Sequence, residues 1–215
     1  MTVILDKHKI FYASVPKTGC SSLKFAFFEL ENGFPFQHFR TNGVSKHIHN
    51  VGYRTLVRSG FPDERIKDFH RIAFVREPIA RLLSAYGNRV IYHQELSLKK
   101  AAAGLEEHKL EPTPDLDQFI DRFAYYRQAH PSILHHTRPS TIFLGMDPGY
   151  YSRIYTLPEM DQFARDISER VGQTVTVGRS QTGGPKFKVD DLTKKQKQKL
   201  RKFYKADYDA FGAYF

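Results

Sequence analysis

Between residues 10 and 30 the chain changes its hydrophobic rhythm twice. Ile10 to Val15 form a nearly continuous apolar, β-favouring run that stops at Pro16. A polar loop follows, Lys17-Thr18-Gly19-Cys20-Ser21-Ser22. Leu23, Ala26, Phe27 and Leu30 then recur at i, i+3, i+4, i+7, the spacing of one helix face. The pattern predicts a strand, a turn and a helix. Residues 71–90 repeat it. Ile72 to Val75 read as a buried strand, Arg76 stands at its end, and Pro78 suits the first position of a helix. Ile79, Leu82, Leu83, Tyr86 and Val90 make that helix's buried stripe, with Ser84 on its flank.

The remaining pattern is weaker. Residues 32–50, rich in Gly, Asn, His and aromatics, predict a loop leading into a helix over 49–59. Residues 95–116 read as an exposed excursion and 116–128 as one helix. Short strands are expected at 141–145, 153–157 and 174–177, with a helix opened by Pro158 and running to Val171. In the C-terminal segment Leu192, Gln196, Leu200, Phe203, Tyr204 and Phe211 face inward. Its lysines read as a solvated helix face rather than a nucleic-acid stripe. Strands alternating with helices predict an α/β fold, a mostly parallel central sheet flanked by helices. No repeat or linker marks a boundary, so one domain over 1–215 is expected.

Two strand ends carry anion-binding chemistry. A Gly-containing turn before a helix offers unpaired backbone N–H groups and a positive helix end. Lys17 adds a cation, and Thr18, Ser21 and Ser22 add hydroxyl donors. The same segment also satisfies a plain strand-to-helix connection with a Ser N-cap. Arg76 supplies a two-pronged fork and Ser84 a donor from the second helical turn. In an open α/β sheet such ends share one edge. Two anion sites together suggest a ligand charged at both ends.

Composition narrows the setting. Lys plus Arg number 33 against 23 acidic residues, a net +10, which suits an anionic ligand. The single cysteine, Cys20, excludes an internal disulfide framework and reads as a small residue in a tight loop. No run of about 18 apolar residues exists, so no membrane span is expected. The first 15 residues read as an opening strand rather than a signal peptide. A cytoplasmic protein is the simplest expectation; oligomeric state is not legible.

PKTGCSSL resembles the 5′-phosphosulfate loop of the PAPS-dependent sulfotransferases, in the carbohydrate branch called sulfotransferase family 2. FVREPIARLLSAY resembles that family's 3′-phosphate motif, an Arg at a strand end with a Ser eight residues later. PAPS, 3′-phosphoadenosine 5′-phosphosulfate, carries anions at both ends of an adenosine. The resemblance is firm over 10–30 and 70–90, and it implies a P-loop-like nucleotide-binding fold. The cofactor-binding set it implies is Lys17, Thr18, Gly19, Cys20, Ser21, Ser22, Arg76 and Ser84, with no metal. It also implies a hydroxyl acceptor on a sugar or glycoconjugate.

Sulfuryl transfer needs a base for the acceptor hydroxyl and a cation for the leaving phosphate. Lys17 fits the second role. Several bacterial relatives carry a Lys-His pair before the helix preceding the second motif. Lys46-His47 matches that placement and makes His47 the expected base, with His49 the weaker candidate. Many animal relatives are anchored in the Golgi; with no such anchor expected here, the resemblance implies a bacterial- or phage-type member. Arg179 and Ser180 stand where relatives often carry Asn-x-Ser, and Arg81 suits either the 3′-phosphate or a structural ion pair. Phe34, Phe36, Phe39, Tyr125, Tyr126, Tyr150 and Tyr151 suit sugar stacking and core packing equally.

Rival readings fare less well. A P-loop-like kinase lacks the G-x-x-x-x-G-K-[ST] string, since Lys17 precedes the only loop glycine. A Cys-dependent phosphatase lacks an Arg in residues 21–27. A non-catalytic basic nucleotide- or nucleic-acid-binding module explains the charge but not the two strand-end motifs.

Overall fold

The computed structural model describes residues 2–53, 56–178 and 183–215. In chain order the elements are β1 (Val3–Leu5), β2 (Ile10–Ala13), α1 (Cys20–Asn32), β3 (Phe39–Thr41), β4 (Val44–Lys46), α2 (Ile48–Val51), α3 (Asp63–Ile66), β5 (His70–Val75) and α4 (Pro78–Ala85). There follow α5 (Leu98–Glu107), α6 (Leu116–Asp121), α7 (Phe123–Tyr126), α8 (Pro131–Thr137), α9 (Ser140–Leu144), β6 (Arg153–Thr156), α10 (Met160–Val171), α11 (Lys194–Phe203) and α12 (Lys205–Phe211). The chain divides into two compact units. The first comprises Met1–Arg76 and Ser140–Gln181; the second comprises Glu77–Pro139 and Thr182–Ala213.

The first unit is built on a sheet of order β1-β2-β5-β6. β1 runs antiparallel to β2, while β2–β5 and β5–β6 are parallel. This is the mostly parallel α/β sheet that the pattern predicts. All four residues of β2 are buried, as a strand covered on both faces requires. On one face Tyr12, Ile72, Phe74 and Tyr155 meet Leu23 and Phe27 of α1 and Phe163 and Ile167 of α10. Phe163 stands edge-on to Phe27, Phe74 and Tyr155. On the other face Phe11 packs edge-on against Phe61 at 4.8 Å. β3 and β4 form a separate, exposed two-stranded hairpin.

The second unit is helical. Its core joins Ile79, Leu82, Leu83, Tyr86 and Val90, the whole predicted stripe, to residues of α5 through α8 and α11. Pro78 occupies the first turn of α4, and a π-helical stretch, Tyr86–Tyr92, extends it. Arg81 is fully buried. It donates to the carbonyls of Arg138 at 2.6 Å and His136 at 3.3 Å and lies 3.8 Å from Asp207, itself fully buried. Of its two sequence readings, the structure bears out the ion pair.

Several predicted elements differ. The apolar run at 141–145 is helical, not a strand: Ser140, Phe143 and Leu144 are buried while Ile142 is exposed, a helical repeat. Residues 174–177 form no strand. The Val175 N–H is taken by the Ser168 hydroxyl of α10 at 2.8 Å, which satisfies the amide without a neighbouring strand. The expected helix at 49–59 is the short α2, beginning at Ile48, plus a 3₁₀ turn at Arg58–Gly60. The expected helix at 116–128 is interrupted at Arg122, and the exposed excursion contains α5. Arg179 and Ser180 lie outside the described residues. Among the described residues no helix is long and apolar enough to cross a membrane.

Arg81→Ala would leave Asp207 buried without its guanidinium. We expect a loss of roughly 3–5 kcal/mol in urea-induced unfolding, the usual cost of removing one partner from a buried pair. A loss below about 1 kcal/mol would show that the pair contributes little.

Candidate active site

The loop after β2 is shaped by unusual backbone. Lys17 takes φ 69° and Gly19 φ 78°, both left-handed. For lysine this conformation costs of order 1 kcal/mol or more, a strain that clusters at ligand-binding loops. At Gly19 the need for glycine is twofold. A Cβ there would lie 2.9 Å from Met160 Cε and 3.2 Å from Leu157 Cδ2. Gly19 is also the N-cap of α1 and offers no side chain, so the first-turn N–H groups of this 13-residue helix receive no side-chain cap. These groups fit an anion, as the sequence reading requires. The plain alternative, a connection with a Ser N-cap, does not hold, since Ser21 and Ser22 lie inside the first turn.

Thr18 serves the loop itself. It is fully buried, and its Oγ1 donates to the Val15 carbonyl at 2.8 Å. Arg76, at the end of β5, donates from Nη1 to the Lys17 carbonyl at 3.3 Å. The two strand-end motifs thus meet within the first unit, as their parallel strands allow. Cys20 is half-buried as the first residue of α1. Ser84 lies half-buried on α4, in the second unit.

The histidines divide their labour. His47 is the N-cap of α2: its Nδ1 accepts the His49 N–H at 3.3 Å, and Asn50 Oδ1 accepts the His47 N–H at 2.9 Å. Partial burial, then the charges of His38 and Lys24, hold the His47 pKa below 6.5. His49, two residues on, reaches α1. Its Nε2 lies 2.8 Å from Ser21 Oγ and its Nδ1 3.3 Å from Lys24 Nζ.

Sequence reasoning overlooked Lys24. It is fully buried, donates to the Tyr53 carbonyl at 3.3 Å, and lies 5.9 Å from the centre of the Tyr53 ring. Burial drives its pKa down to about 7. The signal was present: Lys24 is the one charged residue in 18–28, and it falls between Leu23 and Phe27 of the buried stripe.

The profile of the Sulfotransferase family matches residues 1–140, and the chain belongs to that family. A carbohydrate sulfotransferase 10 from Pongo abelii is 32% identical over 95 residues, 42% of this chain and 26% of that protein. Carbohydrate sulfotransferase 11 from Rattus norvegicus is 27% identical over 100 residues, 46% of this chain and 28% of the relative. The Danio rerio protein of that name is 30% identical over 90 residues, 40% of this chain and 25% of the relative. The matched segments therefore span about a quarter of these relatives. No solved structure matches.

Proposed function

We propose that this chain transfers the sulfuryl group of PAPS to an acceptor hydroxyl, on a carbohydrate or glycoconjugate. The observation that carries the reading is the Arg76–Lys17 contact, which brings two anion-binding motifs to one edge of a parallel sheet in a chain of the sulfotransferase family. PAPS supplies the activated sulfuryl group; the protein's tasks are to bind, orient and move one proton. The uncapped N–H groups of α1, with Ser21 and Ser22, bind the 5′ end. Lys17 follows the negative charge that grows on the bridging oxygen. Arg76 holds the 3′-phosphate, and Ser84 is assigned beside it on motif spacing alone.

His47 is the proposed base. A lowered pKa keeps its ring neutral near pH 7, as a base requires. To accept a proton at Nε2 it must carry its own on Nδ1 and release the His49 N–H. That bond is long, and giving it up costs about 0.5–1.5 kcal/mol. Both nitrogens of His49 already face Ser21 and Lys24, so it is the less available ring. The names of the relatives support a sugar acceptor, as does the aromatic cluster of Phe25, Phe28, Phe34, Phe36 and His38 after the donor loop. An acceptor screen with radiolabelled PAPS tests the class.

Three outcomes are expected. In calorimetry 3′-phosphoadenosine 5′-phosphate binds far more tightly than AMP, and Arg76→Ala removes most of that preference, a charged hydrogen bond contributing about 1.5–3 kcal/mol. Equal binding of the two nucleotides by the wild type would remove the case for a 3′-phosphate site. Lys17→Ala lowers kcat more than it weakens donor binding, because its cation matters most in the transition state; a change in KM alone would make it a binding residue. His47→Ala lowers kcat by roughly 10²–10⁴ while leaving donor affinity unchanged. In the wild type the rate falls as pH drops through a value below 6.5, where the ring protonates. If His49→Ala alone abolishes transfer, the base is two residues further on.

A further inference from the structure

Lys24 is an anomaly that the transfer chemistry above leaves unused. A buried ammonium is ordinarily neutralised by a carboxylate. Among the described residues the polar atoms facing Lys24 Nζ are His49 Nδ1 and the Tyr53 carbonyl, and it makes no salt bridge. The titratable groups around it are Cys20 on α1, His47 and His49 at α2, and Tyr53, whose hydroxyl donates to Glu31 at 2.9 Å. Its link to the donor loop is short: Lys24 Nζ to His49 Nδ1, then His49 Nε2 to Ser21 Oγ.

We propose that Lys24 is the internal counter-cation of the donor site, a positioning residue that takes up a proton as the anionic donor seats and, through His49, turns the Ser21 hydroxyl toward that anion. This rests on the donor reading above. Charged Lys24 has donors only, so His49 Nδ1 must accept and Nε2 must carry the hydrogen. Ser21 Oγ then accepts from His49, and its own hydrogen is free for the donor's oxygens. With Lys24 neutral, its lone pair can take an Nδ1–H of His49. Nε2 then accepts the Ser21 hydrogen and draws it away from the anion. The proton comes from solvent and returns there when the nucleotide product leaves.

An anion one helical turn from Lys24 favours its charged form, so the pKa of about 7 rises on binding. Below pH 7 Lys24 is charged with or without the nucleotide, and affinity is greatest. As pH rises through 7 the free protein loses that proton first, and affinity falls until the bound form also deprotonates. A rise of one unit on binding makes the fall about fivefold between pH 7 and 9.

The test is calorimetry of 3′-phosphoadenosine 5′-phosphate binding to the intact chain at pH 7–9, in buffers of different ionisation enthalpy. The wild type should take up a fraction of a proton near pH 7.5 and lose about fivefold in affinity by pH 9. Lys24→Met should bind more weakly at pH 7 with the slope nearly abolished. Lys24→Arg, charged throughout, should bind with no slope. Lys24→Arg leaves the Cys20 thiol in place, so a slope that disappears in that variant belongs to the amine and not to the nearby thiol. Wild-type binding without proton uptake, or a slope retained in Lys24→Arg, overturns the proposal. The wild-type measurement decides even if Lys24→Met fails to fold. Absence of nucleotide binding at every pH would instead sink the donor reading.

Discussion

The parallel register of β2 and β5 is the constraint on which the site depends. Tyr12 pairs with Ile72 and Ala13 with Ala73. Two strands that run the same way release their chains at the same edge, so the residues that follow them meet. Lys17 comes four residues after Ala13 and Arg76 three after Ala73, and the guanidinium reaches the lysine carbonyl. A shift of register would separate the two groups. It would also turn Tyr12 away from Phe27 and Phe74, with which it packs on the α1 face. Core packing and site geometry are therefore fixed by one pairing.

The segment from Lys17 to Lys24 concentrates features that are locally unfavourable. A non-glycine residue in left-handed backbone, a helix without a side-chain cap and a buried lysine each oppose folding. Their concentration within eight residues is hard to attribute to packing. The surroundings hold them in place: Thr18 ties the loop to Val15, and Leu157 and Met160 close over Gly19. In the proposed donor site an anion here would relieve two of the three, by engaging the helix N–H groups and by balancing the buried charge.

The short segment from Lys46 to Tyr53 links the loop to the second half of the proposed chemistry. His47 caps α2 while His49, one residue beyond Ile48, reaches back to α1. Ile48 between them is fully buried in the core that also holds Leu23 and Phe27. That anchor fixes where both rings project. The two neighbouring rings therefore meet different partners: His47 caps α2, while His49 meets Ser21 and Lys24.

The sequence alone determined the strongest local signals. The strand–loop–helix at 10–30 and the strand and Pro-initiated helix at 70–90 were legible because core periodicity and turn chemistry are written in consecutive positions. Elements whose form depends on distant partners were misread. Residues 141–145 have the β-favouring composition of a strand yet bury a helical face. At 174–177 the amide of Val175 finds a serine of α10 instead of a neighbouring strand. The same limit governed the site. Nothing in the string Ser-Lys-His-Ile-His says which ring caps a helix and which meets Ser21 and Lys24, because the contact joins residues 25 and 28 apart. Only the tertiary structure could decide that, since the burial that makes Lys24 unusual exists only once α1, α2 and the sheet have packed around it.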